Sequence, residues 1–261
     1  MIRRSIDKGM RWYLAQRYKR IHHYMHQPLA VQKSWLHNLI TSASQTEWGS
    51  NFDFTKIKTR KDFAKAMPIS DYEDLKPYIE RMMLGEKDVL WHGETKWFSK
   101  SSGTTSSKSK YIPVTPQNLR TCHIKGTWDT MSMIYHQLPH ATQFRYKTLL
   151  MGGCINPIEG NPRAQTGDVS AIMIKHMPFV ARPFFTPDFE TALLPDFEEK
   201  LNIKTELLSK EKDMVMIGGV PTWLIVLFKK ILEYTGKENM LEVWPKLQVY
   251  THGGVLSLIH I

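Results

Sequence analysis

The sequence predicts an α/β fold of parallel or mixed sheets flanked by helices, and three observations carry that expectation. Short β-prone runs at residues 94–99, 109–114, 145–151, 214–217 and 247–251 alternate with segments whose apolar residues recur at three- to four-residue steps. Glycines end several of those runs, at Gly152-Gly153, Gly218-Gly219 and Gly253-Gly254, and glycines at strand ends serve either as plain turns or as walls of a ligand cleft. No internal repeat, heptad run or long linker breaks the pattern, and 261 residues suffice to bury a sizeable core in one large domain or two subdomains.

Residues 1–26 carry Arg3, Arg4, Lys8, Arg11, Arg17, Lys19 and Arg20 against Asp7 alone, so most of the formal net charge of +10 sits on the first element. Its Ile2, Ile6, Met10, Tyr13, Leu14, Ile21 and Met25 keep helical spacing. A basic amphipathic helix can touch a membrane surface or nucleic acid, but its ordinary state is a packed helix with a solvated charged face. His22 and His26 share that helix one turn apart; without the Glu of an H-E-x-x-H pattern or a third ligand they read as surface histidines.

Beyond Pro28, residues 29–44 predict a helix burying Leu29, Trp35, Leu36, Leu39 and Ile40. Thr59 opens a short helix that stops before Pro68, and Ser70 is the expected cap of the next, which runs toward Met83. Residues 94–99 and 109–114 pair as strands, after which Thr115 caps a helix starting at Pro116. Residues 156–167, rich in Pro, Gly and Asn, predict an exposed loop, and 168–175 a returning strand. Residues 188–209 read as helix broken near Pro195, and 214–217 as a buried strand. An apolar helix follows at 221–234, with Trp223, Leu224 and Phe228 expected in the core, and the last strand lies at 247–251.

Cys122 and Cys154 are far apart and lack CxxC spacing, so neither a disulfide framework nor a zinc site is indicated and a reducing cytoplasm is the expected compartment. No apolar run approaches the ~18 residues of a membrane span, and the first residues lack the apolar stretch of a signal peptide.

The most informative segment is residues 101–110, SSGTTSSKSK, where hydroxyl residues fill every position except Gly103, Lys108 and Lys110. Two readings fit it. One is a solvated hairpin tip, since Ser/Gly/Thr clusters between periodic segments are usually loops. The other is a polyphosphate grip, in which hydroxyls and backbone N–H groups face phosphate oxygens, glycine admits close approach and lysine supplies charge. The order of residues excludes a Walker A loop, because no G-K-[ST] leads into a helix; Tyr111-Ile112-Pro113-Val114 predicts a strand instead.

The run from Trp97 to Thr115, WFSKSSGTTSSKSKYIPVT, resembles the ATP-binding motif of the auxin-responsive promoter family of acyl-acid amido synthetases, within the luciferase-like adenylate-forming superfamily. Residues 63–91 around MPISDYEDLKPYIER, Gly218 to Trp223 (GGVPTW) and Trp244 to Val255 (WPKLQVYTHGGV) resemble further segments of bacterial members. The likeness covers nearly the whole chain, with Ser107 standing where a glycine is expected. It implies that residues 1–255 form an incomplete N-terminal part of the large adenylate-forming domain, with a basic helical start over 1–45, truncated before the C-terminal domain.

The resemblance also implies a reaction: ATP, with Mg2+, converts a carboxylic acid to an acyl-adenylate, and the acyl group passes to an amine or amino acid. Ser101, Ser102, Gly103, Thr104, Thr105, Ser106, Ser107 and Lys108 would hold the ATP phosphates, with Thr105 and Lys108 taking catalytic roles. Gly219, Val220, Trp223, Gly253 and Gly254 would line the acid's pocket. The partners implied are the small-molecule acid and amine, with no nucleic acid and no metal bound by protein side chains. An acyl-CoA ligase of the same superfamily is the alternative, and a basic nucleic-acid-binding protein the more distant one. The family's second and third nucleotide motifs do not occur here, so the chain alone is expected to be inactive. Residues 256–261, LSLIHI, match what the mosaic end of a transposase library adapter would encode, and adapter read-through is the expected origin of these six residues. A longer genomic copy of the gene is therefore expected to diverge after Val255, and sequencing one checks this; the same six codons followed by a stop would contradict it.

Overall fold

The basic first segment forms helix α1 (Ile2–His26), and proline at the first turn of the next opens α2 (Pro28–Ala43). The computed structural model describes residues 2–101 and 109–253. The chain divides into two units interleaved in sequence: Met1–Ala15, Met131–Cys154 and Ser170–Ile261 in one, Gln16–Thr130 and Ile155–Val169 in the other.

In the second of these units, α3 (Glu47–Asn51), α4 (Arg60–Ala66) and α5 (Tyr72–Met83) follow α2. Thr59 and Asp62 form a capping box at α4. The cap of α5 is Asp71 and not Ser70: its carboxylate accepts from the N–H groups of Glu73 and Asp74, and Asp74 returns a bond to the Asp71 N–H. A carboxylate meets the positive end of the helix better than a hydroxyl does, which decides between the neighbours. Leu29 and Leu39 are 79% and 44% exposed while Leu36 and Ile40 pack inward, so the buried stripe of α2 begins about two turns later than its spacing suggests and is narrower.

Strands β1 (Trp97–Lys100) and β2 (Tyr111–Pro113) pair antiparallel as expected. Thr115 Oγ1 accepts from the Asn118 N–H and caps α6 (Pro116–Asn118), which continues as a π-helical stretch over Leu119–Ile124 and then α7 (Lys125–Gln137). After β3 (Lys147–Leu149), the stretch expected as a loop is a hairpin, β4 (Ile155–Ile158) and β5 (Asn161–Gly167), turning at Gly160 with φ +81. Sheet position explains the difference: in the order β2-β1-β5-β4, Pro157 lies on an edge strand and Pro162 near a strand start, where the missing N–H costs little. The expected strand after it is helix α8 (Val169–Lys175), which buries Ala171, Ile172 and Ile174; a short apolar run does not distinguish the two by spacing.

In the other unit, β6 (Phe185–Thr186), α9 (Phe189–Ala192), α10 (Phe197–Lys210), β7 (Met214–Gly219), α11 (Pro221–Thr235), α12 (Met240–Val243) and β8 (Val249–His252) complete a wholly parallel sheet of order β6-β3-β7-β8. Met214, Val215 and Ile217 of β7 are buried in succession, as a strand covered on both faces requires. Leu208, Leu224, Leu227, Ile231 and Trp244 pack over it, with Trp244 Nε1 donating to the Leu208 carbonyl at 2.9 Å.

The start of α1 belongs to this same unit and is tied to it through Asp7, which has no exposed surface. Asp7 Oδ2 accepts from Arg11 Nε and from Arg145 Nε, each at 2.9 Å, and the Tyr135 hydroxyl stands 3.4 Å from Oδ1. Arg11 also donates to the carbonyls of Pro139 and Ala141, and burial pushes the Tyr135 phenol well up from its ordinary pKa. Part of the basic character of α1 is thus spent inside the fold. Among the described residues no three His, Cys, Asp or Glu side chains gather to hold a metal, and no helix is long and apolar enough to cross a membrane. Asp7→Ala leaves two guanidinium groups facing a void where an anion stood, so it is expected to cost about 3 kcal/mol; urea unfolding measures the loss.

Candidate functional site

The hydroxyl-rich segment is held at its base. The Ser101 N–H donates to the Lys110 carbonyl at 2.8 Å and the Lys110 N–H donates to Ser101 Oγ at 3.2 Å, which joins the two ends of residues 101–110. Below that closure the Val114 N–H reaches the Trp97 carbonyl at 2.7 Å, and Phe98 is wholly buried. On the β2 side, Tyr72 of α5 accepts the Tyr111 N–H at 2.9 Å, while Lys110 Nζ lies 5.3 Å from its ring centroid. On the other side β1 runs parallel to β5, with Phe98 opposite Thr166 and Ser99 opposite Gly167. Residues 101 and 168 therefore leave the sheet at the same carboxyl edge, where ligands sit in α/β sheets. Thr166 Oγ1 is buried beside this edge without a hydrogen-bond partner among the described residues. Ser102, Gly103, Thr104, Thr105, Ser106, Ser107 and Lys108 lie outside the described residues.

In the same unit, a cavity of about 480 Å3 opens between Leu39, Trp91, Pro113, Thr115, Thr121 and Cys122. Two of those residues, Thr121 and Cys122, belong to the π-helical stretch Leu119–Ile124, a distortion often found at functional sites. No sequence spacing marks a π turn. The cavity was invisible before the structure because its wall joins four separate elements.

In the parallel-sheet unit the glycine-bearing strand ends converge. β3, β7 and β8 are neighbours, Gly219 stands opposite His252, and Gly253 follows one residue on, while Met151-Gly152-Gly153 leave the end of β3. An added Cβ at Gly219 would touch Met151 and Leu224, and one at Gly152 would meet Ile174 Cδ1 at 2.6 Å. Val220 is the N-cap of α11 and is 39% exposed. Gly254 lies outside the described residues.

Trp223 is not a core residue: it is 40% exposed, because the buried stripe of α11 runs through Pro221, Leu224, Leu227 and Ile231. It stands instead over a cavity of about 120 Å3 shared with Gly152, Gly153, Phe197, Lys200 and Lys204. The two lysines are the unexpected part of this wall. They lie one turn apart on the buried face of α10, with Leu201, Thr205 and Leu208. Lys200 Nζ donates to the carbonyls of Gly152 and Gly153, each at 3.0 Å, and Lys204 Nζ lies 3.6 Å from Met151 Sδ. The signal was present in the sequence, since Lys200, Leu201, Lys204 and Leu208 share one helical stripe.

Residues 17–220 match the family model described as the GH3 family N-terminal domain. The chain belongs to the GH3 family, the group of acyl-acid amido synthetases that its 97–115 motif resembles. Among relatives, indole-3-acetic acid-amido synthetase GH3.2 of Arabidopsis thaliana is 34% identical over 93 residues, which is 35% of this chain and 17% of that protein. The 4-substituted benzoates-glutamate ligase GH3.12 of the same plant is 34% identical over 85 residues, 32% of this chain and 15% of the relative. The structure of GH3.15 acyl acid amido synthetase superposes with a TM-score of 0.68 at 16% identity, covering 83% of this chain and 38% of that one. Its complex with 2,4-DB gives the same TM-score and covers 86% and 48%. The α/β fold of mixed and parallel sheets is therefore shared, and the chain spans less than half the length of those structures.

Burial, followed by the charge on Lys200, pulls the Lys204 ammonium down to about 8 from its ordinary 10.5. A lysine lowered in this way holds fewer protons folded than unfolded between those values. Its penalty is complete below pH 8 and is relieved as pH rises through the window. Stability relative to a Lys204→Met variant is expected to rise between pH 7 and 10.5 by on the order of 3 kcal/mol. Denaturant titrations of both proteins at the two pH values read the difference, and identical pH profiles would contradict it.

Proposed function

We propose that the protein to which this chain belongs activates a carboxylic acid with ATP, releases pyrophosphate, and transfers the acyl group from the adenylate to an amine or amino acid. The observation that carries this reading is that the family match over residues 17–220 contains the hydroxyl-rich segment, whose flanking strands β1 and β2 pair and whose first strand ends at a sheet's carboxyl edge. The relatives are named as an amido synthetase of indole-3-acetic acid and a ligase of 4-substituted benzoates with glutamate, which supports an acid as the acyl donor and an amino acid as the acceptor.

The chemical demand of the first step is to offset triphosphate charge while the acid's carboxylate attacks the α-phosphorus. Backbone N–H groups and hydroxyls of Ser102, Thr104, Thr105 and Ser106 are the donors for that task, Gly103 permits close approach, and Lys108 brings positive charge to the β- and γ-phosphates. Ser101 spends its N–H on the Lys110 carbonyl and retains its hydroxyl proton as a donor. The donor set suits a nucleotide triphosphate, and Mg2+ brought with it would supply further positive charge to offset the phosphates. The acid supplies the nucleophile, so no activated Ser or Cys is required. Gly219, Val220, Trp223 and Gly253 are assigned to the acid's pocket, beside the cavity under Trp223.

In the full-length protein, Thr105→Ala or Lys108→Ala is expected to slow acid-dependent ATP/pyrophosphate exchange by about a hundredfold, with the dissociation constant of the acid nearly unchanged. Exchange assays across a panel of carboxylic acids, with direct binding measured in parallel, test this. Exchange at the wild-type rate in both variants would remove the assignment.

A further inference from the structure

The cavity under Trp223 has an exposed apolar rim and a buried cationic floor. Trp223 and Phe197 are 40% and 49% exposed, whereas Lys200 and Lys204 are 7% and 2% exposed. Removing an ammonium from water costs several kcal/mol unless an anion or a full set of acceptors replaces the water. Lys200 has two carbonyl acceptors. Lys204 has a thioether at 3.6 Å, a weak acceptor. No carboxylate among the described residues acts on it, and the neighbouring Lys200 adds repulsion. What Lys204 lacks, among the described residues, is one negative charge.

We infer that this cavity takes the distal carboxylate of a small dicarboxylic acid, paired with Lys204 Nζ at the floor, while the acid's other carboxylate stays at the rim. Two arguments require the second acid group. A carboxylate sealed against the lysines has its lone pairs engaged and is buried, so it is not the one that attacks phosphorus. A monocarboxylic acid placed with its reacting group at the mouth would press hydrocarbon onto the Lys204 ammonium and raise the cost already present. The cavity of about 120 Å3 is smaller than the roughly 150 Å3 that holds benzene, so it takes the distal carboxylate and the adjoining part of the apolar body, and the remainder lies at the open rim. Trp223 and Phe197 then flank the apolar body. The inference rests on the proposed reaction only in treating this pocket as the acid's site.

The test is direct binding to the purified chain at pH 7 by calorimetry, comparing terephthalate with p-toluate, which has the same ring and a methyl in place of one carboxylate. Terephthalate is expected to bind at least about tenfold more tightly, and Lys204→Met to reverse the preference. Lys204→Arg, which keeps the charge, is expected to retain it and serves where the Met variant fails to fold. Equal affinities, tighter p-toluate binding, no binding of either acid, or a terephthalate preference that survives Lys204→Met would each overturn the inference. Pyrophosphate exchange in the full-length protein separates the two claims. Exchange with monocarboxylic acids but no terephthalate preference sinks this inference alone, whereas a terephthalate preference without exchange for any acid sinks the adenylation reading alone.

Discussion

The double pairing of β1 is the constraint on which the unit carrying the hydroxyl-rich segment depends. With β2 antiparallel on one side and β5 parallel on the other, β1 cannot slip by one residue without turning the buried Phe98 toward the opposite face. That register sets where residues 101 and 110 meet, and their mutual hydrogen bonds turn a flexible composition into a segment with fixed ends. Tyr72 extends the constraint to α5, since its hydroxyl accepts the Tyr111 N–H while its ring lies beneath Lys110. A hydroxyl-rich stretch acquires a direction only through such anchoring.

The parallel-sheet unit solves a related problem differently. β7 ends in glycine and β8 beside one, while Gly152 and Gly153 follow shortly after β3, and Lys200 reaches across from α10 to hold the carbonyls of those two glycines. Unpaired carbonyls at a strand end are costly to bury. The ammonium that satisfies them brings a second charge, on Lys204, into the same enclosure, so the means of closing the strand end also sets the polarity of the cavity.

Local chemistry was legible in the sequence wherever one short segment decided the outcome. Thr115 with Pro116, the Thr59 box, the apolar run of β7 and the helix beginning at Pro221 all follow from neighbours within a turn or two. The hairpin at β4 and β5 was not legible, because its prolines read as loop until their places at a sheet edge and a strand start are known. Hydrophobicity alone places Trp223 in the core, while the stripe that packs α11 passes it by. The lysine pair was hidden for the opposite reason: charge suggests solvent, and only the helical phase shared with Leu201 and Leu208 places it inside. At the candidate site, residue types were readable but enclosure was not, since enclosure comes from strands distant in sequence.

Asp7 has a bearing on biosynthesis. Its carboxylate waits for Arg145, 138 residues downstream, and the sheet beside it needs β7 and β8, made later still. A ribosome releases these pieces in order, so residues 1–26, with a lone acid among seven bases, emerge well before Arg145 is made. Contacts of such long sequence separation form slowly. The parallel-sheet unit can close only after β8 is made, and until Arg145 emerges the Asp7 carboxylate has only Arg11 of its own helix to face.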